Sequence, residues 1–268
     1  MRMSTWNEVG DRVFVRRYAW LALTIGAVVG DDGVLVVDTR ASHEQARELI
    51  DDLVTLTDLP VRWVVNTHYH WDHCWGNALF DTAELWGHEN TRLALLEHGE
   101  GARRLVMEHL PVENHEAVRA VRIVPPDHTF SDRVSLDIGR AVDLRYHGRG
   151  HTDSDVSLDV SGVLFAGDLV EEAAPPAFGD AFPLEWPDTL DRLLDHVQGA
   201  VVPGHGEPVD RAYVERQRDD IATTVELARA GFDGDVPVSE VDVEDAPFPT
   251  EVSRFVVERT YQQLAGQI

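Results

Sequence analysis

The chain contains one cysteine, Cys74, so no internal disulfide can form and no cysteine-based zinc knuckle can be built. Its longest apolar stretch, LALTIGAVVG at residues 21–30, is far too short to span a bilayer. The opening residues MRMSTWNEVGDR have no apolar h-region and do not read as a secretory leader. These absences together give the expectation of a cytoplasmic protein. Basic residues are scarce as well: 23 Lys plus Arg stand against 48 Asp plus Glu, a formal charge of −25. Such a surplus repels phosphate. It argues against a nucleic-acid grip and against docking on an anionic membrane, and it leaves a small-molecule substrate as the expected partner.

Apolar residues make up 43% of the 268, enough for a substantial core. Between residues 13 and 38, VFVRR, LTIGAVVG and GVLVVD read as three strands, with Asp32–Gly33 as a hairpin turn. Ser42 starts a helix with Gln45 in the capping-box position, and Ala46, Leu49, Ile50, Leu53 and Leu56 repeat at helical spacing. VRWVVN, 61–66, reads as a buried central strand and AELWG, 83–87, as another, followed by a helix from Glu89 to about Glu97. Residues 98–127 read as a helical insertion. Further strands fall near 134–138, 141–146, 156–160 and 162–167, with a short one at 201–203. Leu190, Leu193, Leu194 and Val197 mark a helix, Asp210 caps a long one, and Val252 to Arg259 suggest a closing helix. No linker divides this α/β pattern, so residues 1–268 are expected to form one domain with C-terminal helices after 210.

The chemistry concentrates in THYHWDHCWG, residues 67–76, where His68, His70, Asp72 and His73 put four potential ligands into six positions. Imidazole nitrogen and carboxylate oxygen suit Zn²⁺, and the alternation of His68 and His70 can aim both the same way. Three more polar residues stand beside glycines at strand exits: His151 in GRGHTDSD, Asp168 in VLFAGD and His205 in VVPGHGE. Strand exits are where α/β proteins gather their sites.

The ordered pattern HxHxDH, GHT, a strand-closing GD and PGHG resembles the metallo-β-lactamase-fold hydrolase superfamily, from about residue 13 to about residue 210. The resemblance implies a four-layer αββα sandwich with a dinuclear zinc centre, though iron is possible with these ligands. His68, His70 and His151 would hold one metal, and Asp72, His73 and His205 the second. Asp168 would bridge them. Five neutral imidazoles and two carboxylates around two Zn²⁺ leave the site positive inside an acidic protein. The implied reaction is attack by a metal-bridging hydroxide on a carbonyl or phosphorus centre, with Asp72 and Asp168 orienting the hydroxide and shuttling its proton. Thr67, Thr152, Asp153 and above all Asp38 are candidates to orient the ligands, with a turn or helix-capping role as the competing reading of Asp38.

Within the superfamily, β-lactamases carry Cys or Ser at the position matched by Asp168. The Asp here resembles the hydrolases of thioesters, lactones and phosphoesters. A glutathione thioester is disfavoured because only Arg229, Arg254 and Arg259 are basic after Arg218. The expected substrate is therefore a small ester, thioester, lactone or amide. A mononuclear iron persulfide dioxygenase, a β-lactamase and a non-catalytic descendant are the alternatives, the last disfavoured because none of the seven ligand positions is missing. The proline-rich segment 171–188 departs near Asp168 and is expected to cover the site. Phe178, Phe182 and Trp186, with Trp71 and Trp75 beside the first motif, would line an apolar pocket or else pack the segment onto the body. Glu171 and Glu172 would repel an anionic substrate. Cys74 is expected to turn away from the metals as buried filler.

Overall fold

The computed structural model describes residues 6–268. Residues 1–5, part of the stretch read as lacking a leader, lie outside the described residues. In chain order the first half comprises β1 (Asn7–Gly10), β2 (Val13–Arg17), β3 (Thr24–Val29), β4 (Val34–Val37), α1 (His43–Leu56), β5 (Val61–Val65), α2 (Trp71–Cys74), β6 (Glu84–His88), α3 (Glu89–His109) and α4 (His115–Ala120). The second half comprises β7 (His128–Phe130), β8 (Arg133–Asp137), β9 (Ala141–Tyr146), β10 (Val156–Val160), β11 (Val163–Glu171), α5 (Trp186–Leu194), β12 (Val201–His205), α6 (Arg211–Asp233) and α7 (Thr250–Leu264).

Two sheets face each other. One runs β1-β2-β3-β4-β5-β6-β7, antiparallel through β4 and parallel from there on. The other runs β12-β11-β10-β9-β8, antiparallel except for the parallel β11–β12 pair, whose crossover is α5. Val13, Val28, Leu35 and Val65 of the first sheet meet Leu144, Leu158, Phe165 and Val202 of the second in a core between the sheets. The outer face of the first sheet is covered by α1 through Ala46, Leu49 and Leu53. The outer face of the second is covered by α5, α6 and α7 through Leu190, Leu193, Val214, Ile221 and Val256. The four-layer αββα order is therefore present.

Local chemistry explains the boundaries. Ser42 accepts a hydrogen bond from the Gln45 amide at 3.3 Å, and Asp210 accepts one from the Tyr213 amide at 2.9 Å, each satisfying a free N–H at a helix start. Three elements depart from the sequence expectation. β1 is a short, largely exposed edge strand and β7 has only three residues, so neither carries enough alternation to register. α3 runs 21 residues, straight through Gly99 and Gly101, where the sequence expectation stopped its first segment near Glu97. Glycine lowers helix propensity, but Leu95 and Ala102 pack onto Cys74 and Trp75 and carry the helix on.

Gly26 on β3 faces the Phe165 ring of β11, and a Cβ there would overlap three ring carbons. The ring fills the space the glycine leaves between the sheets. Gly26→Ala is expected to destabilise the fold by about 1–3 kcal/mol through overpacking. Urea unfolding reads this as a lower midpoint; an unchanged midpoint would show that this contact does not set the spacing.

Candidate metal centre

Six of the seven expected ligand positions follow or close a strand of one of the two sheets, whereas Asp168, expected to close its strand, lies inside β11, which runs on to Glu171. β5 runs into the segment carrying His68, His70, Asp72 and His73, and α2 turns the last two inward. His151 lies in the connection from β9 to β10, Asp168 within β11 and His205 at the end of β12. An isolated bridge between Leu23 and His205 and a hydrogen bond from Gly206 N to Ala22 O at 2.9 Å join the two sheets at this edge.

The seven side chains converge in two groups. His68, His70, His151 and Asp168 offer donor atoms within 4.8 Å of one another, as do Asp72, His73 and His205. Asp168 lies between the groups: its Oδ2 is 3.6 Å from His68 Nε2, 3.5 Å from His151 Nε2 and 3.3 Å from His205 Nε2, and its Oδ1 is 3.3 Å from His73 Nε2. Asp72 Oδ2 stands 3.4 Å from His205 Nε2 and 3.7 Å from His73 Nε2. Gly204 makes room for Asp168, because a Cβ there would collide with its carboxylate.

The outward nitrogen of each imidazole is engaged elsewhere. Asp38 Oδ2 lies 2.8 Å from His73 Nδ1 and accepts from Thr67 Oγ1 at 2.8 Å, while Oδ1 accepts from the Thr67 amide at 2.8 Å. Having given its only proton to Asp38, the Thr67 hydroxyl accepts from His68 Nδ1, 3.0 Å away. His70 Nε2 lies 3.0 and 3.1 Å from the two oxygens of Asp180, His151 Nδ1 is 3.2 Å from Ala177 O, and His205 Nδ1 is 2.8 Å from Leu21 O. The inward nitrogens thereby face the centre, where those of His70 and His151 lie 2.8 Å apart and those of His73 and His205 3.2 Å apart. His68 Nε2 and Asp168 Oδ1 are buried without a hydrogen-bond partner. Buried polar atoms are rarely left unpaired, and these two orphans, His68 Nε2 in the first group and Asp168 Oδ1 beside His73 of the second, fit cations. The donor set fits a pair of divalent metals on this ground.

Without metal, the groups polarise one another. Burial pulls His73 down, but Asp168, Asp72 and Asp38 outweigh it and hold its pKa well above the ordinary value. His205 is carried against burial to about 12 by Asp168 and Asp72, and His70 to about 9 chiefly by Asp180. Burial depresses His68 well below its usual value and takes His151 to about 4. Asp168 is held well below the usual carboxylate range by His73, His205 and His68, which outweigh its burial. Metal entry must therefore expel protons.

Asp38 thus contacts the His73 imidazole directly and His68 through Thr67, as a residue that orients those rings would. Thr152 instead donates to Asp155 from its amide and hydroxyl, at 2.8 and 2.6 Å, shaping the turn that carries His151. Asp153 has its carbonyl bound to Asn90 and makes no bond to a ligand imidazole among the described residues. Cys74 is buried, its thiol donating to the carbonyls of Tyr69 and His70 at 3.2 and 3.1 Å, turned from the donors as expected.

The aromatic pocket is corrected. A cavity of about 420 Å³ opens over the donors, lined by Leu21, Trp71, Ala173, Ala174, Ala177, Gly179, Asp180 and Glu171 besides the ligands. Segment 171–188 does form its rim, but through small residues. Phe178 and Trp186 are buried in the core under α5–α7, because their rings find more apolar contact there than at a polar centre. Phe182 lies beneath the guanidinium groups of Arg149 and Arg259 and does not line the cavity. Trp71 lines it; Trp75 is buried behind it. Glu171 is also buried at the cavity wall, and burial together with Asp168 raises its carboxyl above the ordinary carboxylate range. Glu172 faces away, accepting from the Glu207 amide.

Asp180 was not singled out from the sequence. It touches His70 only because the segment folds back over the first motif; its place in a Gly-Asp pair within the rim segment was the one available signal. The Leu21 carbonyl was equally hidden. Leu21 and Ala22 adopt φ of 59° and 52°, strained values for non-glycine residues that aim this carbonyl at His205.

A family model described as the Metallo-beta-lactamase superfamily matches residues 20–222. A linear primary-alkylsulfatase from Pseudomonas sp. (strain ATCC 19151) is 25% identical over 214 residues, covering 66% of this chain and 40% of that protein. The chain thus spans well under half the length of this curated relative. Among solved structures, the metallo-beta-lactamase from Pontibacter korlensis superposes with a TM-score of 0.65 at 21% identity, covering 81% of this chain and 98% of that one. The DIM-1 metallo-beta-lactamase gives 0.64 at 19%, covering 81% and 96%. A variant of the sec-alkyl sulfatase PisA1 gives 0.78 at 17%, covering 99% of this chain and 51% of that one.

Asp168→Ala is expected to lower bound metal and, with it, the affinity of both donor groups. Asp180→Ala is expected to weaken metal binding about 10- to 100-fold, because it frees the His70 ring. Metal titration monitored by competition with a chromophoric chelator measures both; wild-type affinity in Asp168→Ala would remove this residue from the centre.

Proposed function

The chain belongs to the metallo-beta-lactamase superfamily, and on that premise we propose that it is a metal-dependent hydrolase, carrying two zinc ions, that cleaves an uncharged ester, thioester, lactone or amide. His68, His70 and His151 would hold one ion, Asp72, His73 and His205 the other, with Asp168 between them. When bound there, the cations supply Lewis acidity, acidifying water and polarising the oxygen of the scissile group. Asp72 and Asp168 open onto the cavity and would orient the attacking water and take its proton. The Asp38 and Asp180 contacts hold the imidazole rings in register, so that little reorganisation is needed when substrate arrives.

The substrate class rests on one observation: the cavity over the donors is lined by alanines, Leu21, Trp71 and carboxyl groups, with no lysine or arginine. The chain contains no lysine at all. A substrate carrying negative charge beyond the reacting centre would find no basic side chain there, whereas an uncharged one loses less hydration against the apolar rim.

Sulfate-monoester hydrolysis is the second reading, supported by the likeness to the linear primary-alkylsulfatase. The two readings separate on a substrate panel. Metal-loaded protein is expected to turn over neutral aryl esters, thioesters and lactones with kcat/KM at least about tenfold above dodecyl sulfate, a bis-aryl phosphodiester or a lactam, a difference of about 1.4 kcal/mol in transition-state binding. Preference for the alkyl sulfate would transfer the conclusion to the second reading. Metal analysis is expected to give two equivalents of zinc; one equivalent of iron would favour persulfide oxidation instead.

A further inference from the structure

A second cavity, of about 570 Å³, adjoins the one over the donors and shares His70, Trp71 and Asp180 with it. One wall is the first motif, where Tyr69 and Trp71 present aromatic surface with the buried Trp75 behind them. The opposite wall is α3. Ala94, His98, Gly101, Ala102 and Leu105 line the cavity and recur at three- and four-residue spacing, so they form one face of the helix. Three of the five are alanine or glycine. A Cβ at Gly101 would meet only the guanidinium of Arg104, at 3.8 Å, so the space before it is open.

The charged side chains that line the groove are Glu97, Glu100, Arg104, Asp153 and Asp180, four acidic against one basic. Glu100 is paired with Arg103 at 2.9 Å, and Asp180 is committed to His70 and to the Tyr69 hydroxyl, which donates at 3.0 Å. An anionic tail would meet a net acidic lining. Leu105 is 59% exposed at the lip, an unpaired apolar side chain next to an apolar channel. The Tyr69–Asp180–His70 chain ties the groove wall to a ligand of the centre, so whatever lies in the groove is held in register with the donors.

We propose that this groove between α3 and the first motif holds the uncharged apolar tail, an unbranched acyl or alkyl chain, of a substrate whose reacting group lies at the donors. The inference rests on the hydrolase reading for the reaction and adds the shape and polarity of the substrate. It also assigns specificity to α3 rather than to the aromatics of segment 171–188.

The test uses 4-nitrophenyl acetate, butyrate, hexanoate and octanoate with the metal-loaded protein. kcat/KM is expected to rise up to about fourfold for each methylene that enters the groove. Gly101→Phe, which fills the open space, and Leu105→Asp, which charges the lip at an exposed position, are each expected to cut the octanoate-to-acetate ratio at least about tenfold with metal content unchanged. A parallel readout needs no turnover: the neutral dye N-phenyl-1-naphthylamine should brighten on binding, be displaced by 1-octanol, and bind at least about tenfold more weakly to Gly101→Phe. A chain-length profile that is flat, or that Gly101→Phe and Leu105→Asp leave as in the wild type, would overturn the inference, as would preference for a choline ester over its neutral isostere. Dye and octanol binding that responds to Gly101→Phe while no ester is cleaved would uphold the groove and overturn the hydrolase reading instead.

Discussion

The buried carboxylate of Asp38 carries the geometry on which the centre depends. It stands just past β4, 1% exposed, with a backbone φ of 65°. From there it accepts from the Thr67 amide and hydroxyl and faces His73 Nδ1, all at 2.8 Å. These contacts bind the end of β4 to the segment leaving β5, and they use up the hydroxyl proton that Thr67 would otherwise offer His68. A single carboxylate so sets the orientation of one imidazole in each donor group. Three hydrogen bonds to a buried charge also remove the cost of burying it.

Around that anchor the fold assembles side chains that stability alone would not choose. Five imidazoles and two carboxylates share one partly enclosed volume, where burial opposes every charge. Without metal the set divides: His73, His205 and His70 are held up by carboxylates, while His68 and His151 are pushed down. Such a split lets the carboxylates keep their charge, but it leaves His68 Nε2 and Asp168 Oδ1 without hydrogen bonds. Backbone strain gathers at the same edge, in Leu21, Ala22, Asp38 and Arg40. Concentrated desolvation, unpaired donors and positive φ mark a place organised for chemistry, with the sheets and outer helices supplying the stability.

The surroundings of the centre come from different parts of the chain. Segment 172–185 supplies a rim of alanines and glycine with Asp180, while Phe178 turns into the helical layer and Phe182 lies under Arg149 and Arg259. α3 supplies the wall of the adjoining groove. The donor set and the groove wall are thus separate in the molecule, since no residue of α3 is among the seven donors.

Residue order by itself determined most of the strands, the capped starts of α1 and α6, and the cluster His68, His70, Asp72 and His73 that the structure brings together with His151, Asp168 and His205, because each is a local signal. Apolar runs, turn residues and closely spaced histidines are readable within a few positions. Asp38 was legible for the same reason, as an acidic residue closing a strand aimed at that edge. Only the tertiary structure decided the partners that are distant in sequence. Asp180 reaches His70 across 110 positions and Leu21 O reaches His205 Nδ1 across 184, and neither pairing leaves a periodic or compositional trace. The aromatics of segment 171–188 show the same limit: a phenylalanine or tryptophan has equal reason to line a pocket or fill a core. The packing of α5, α6 and α7 sent Phe178 and Trp186 to the core, since that burial removes more apolar surface from water than a polar rim can.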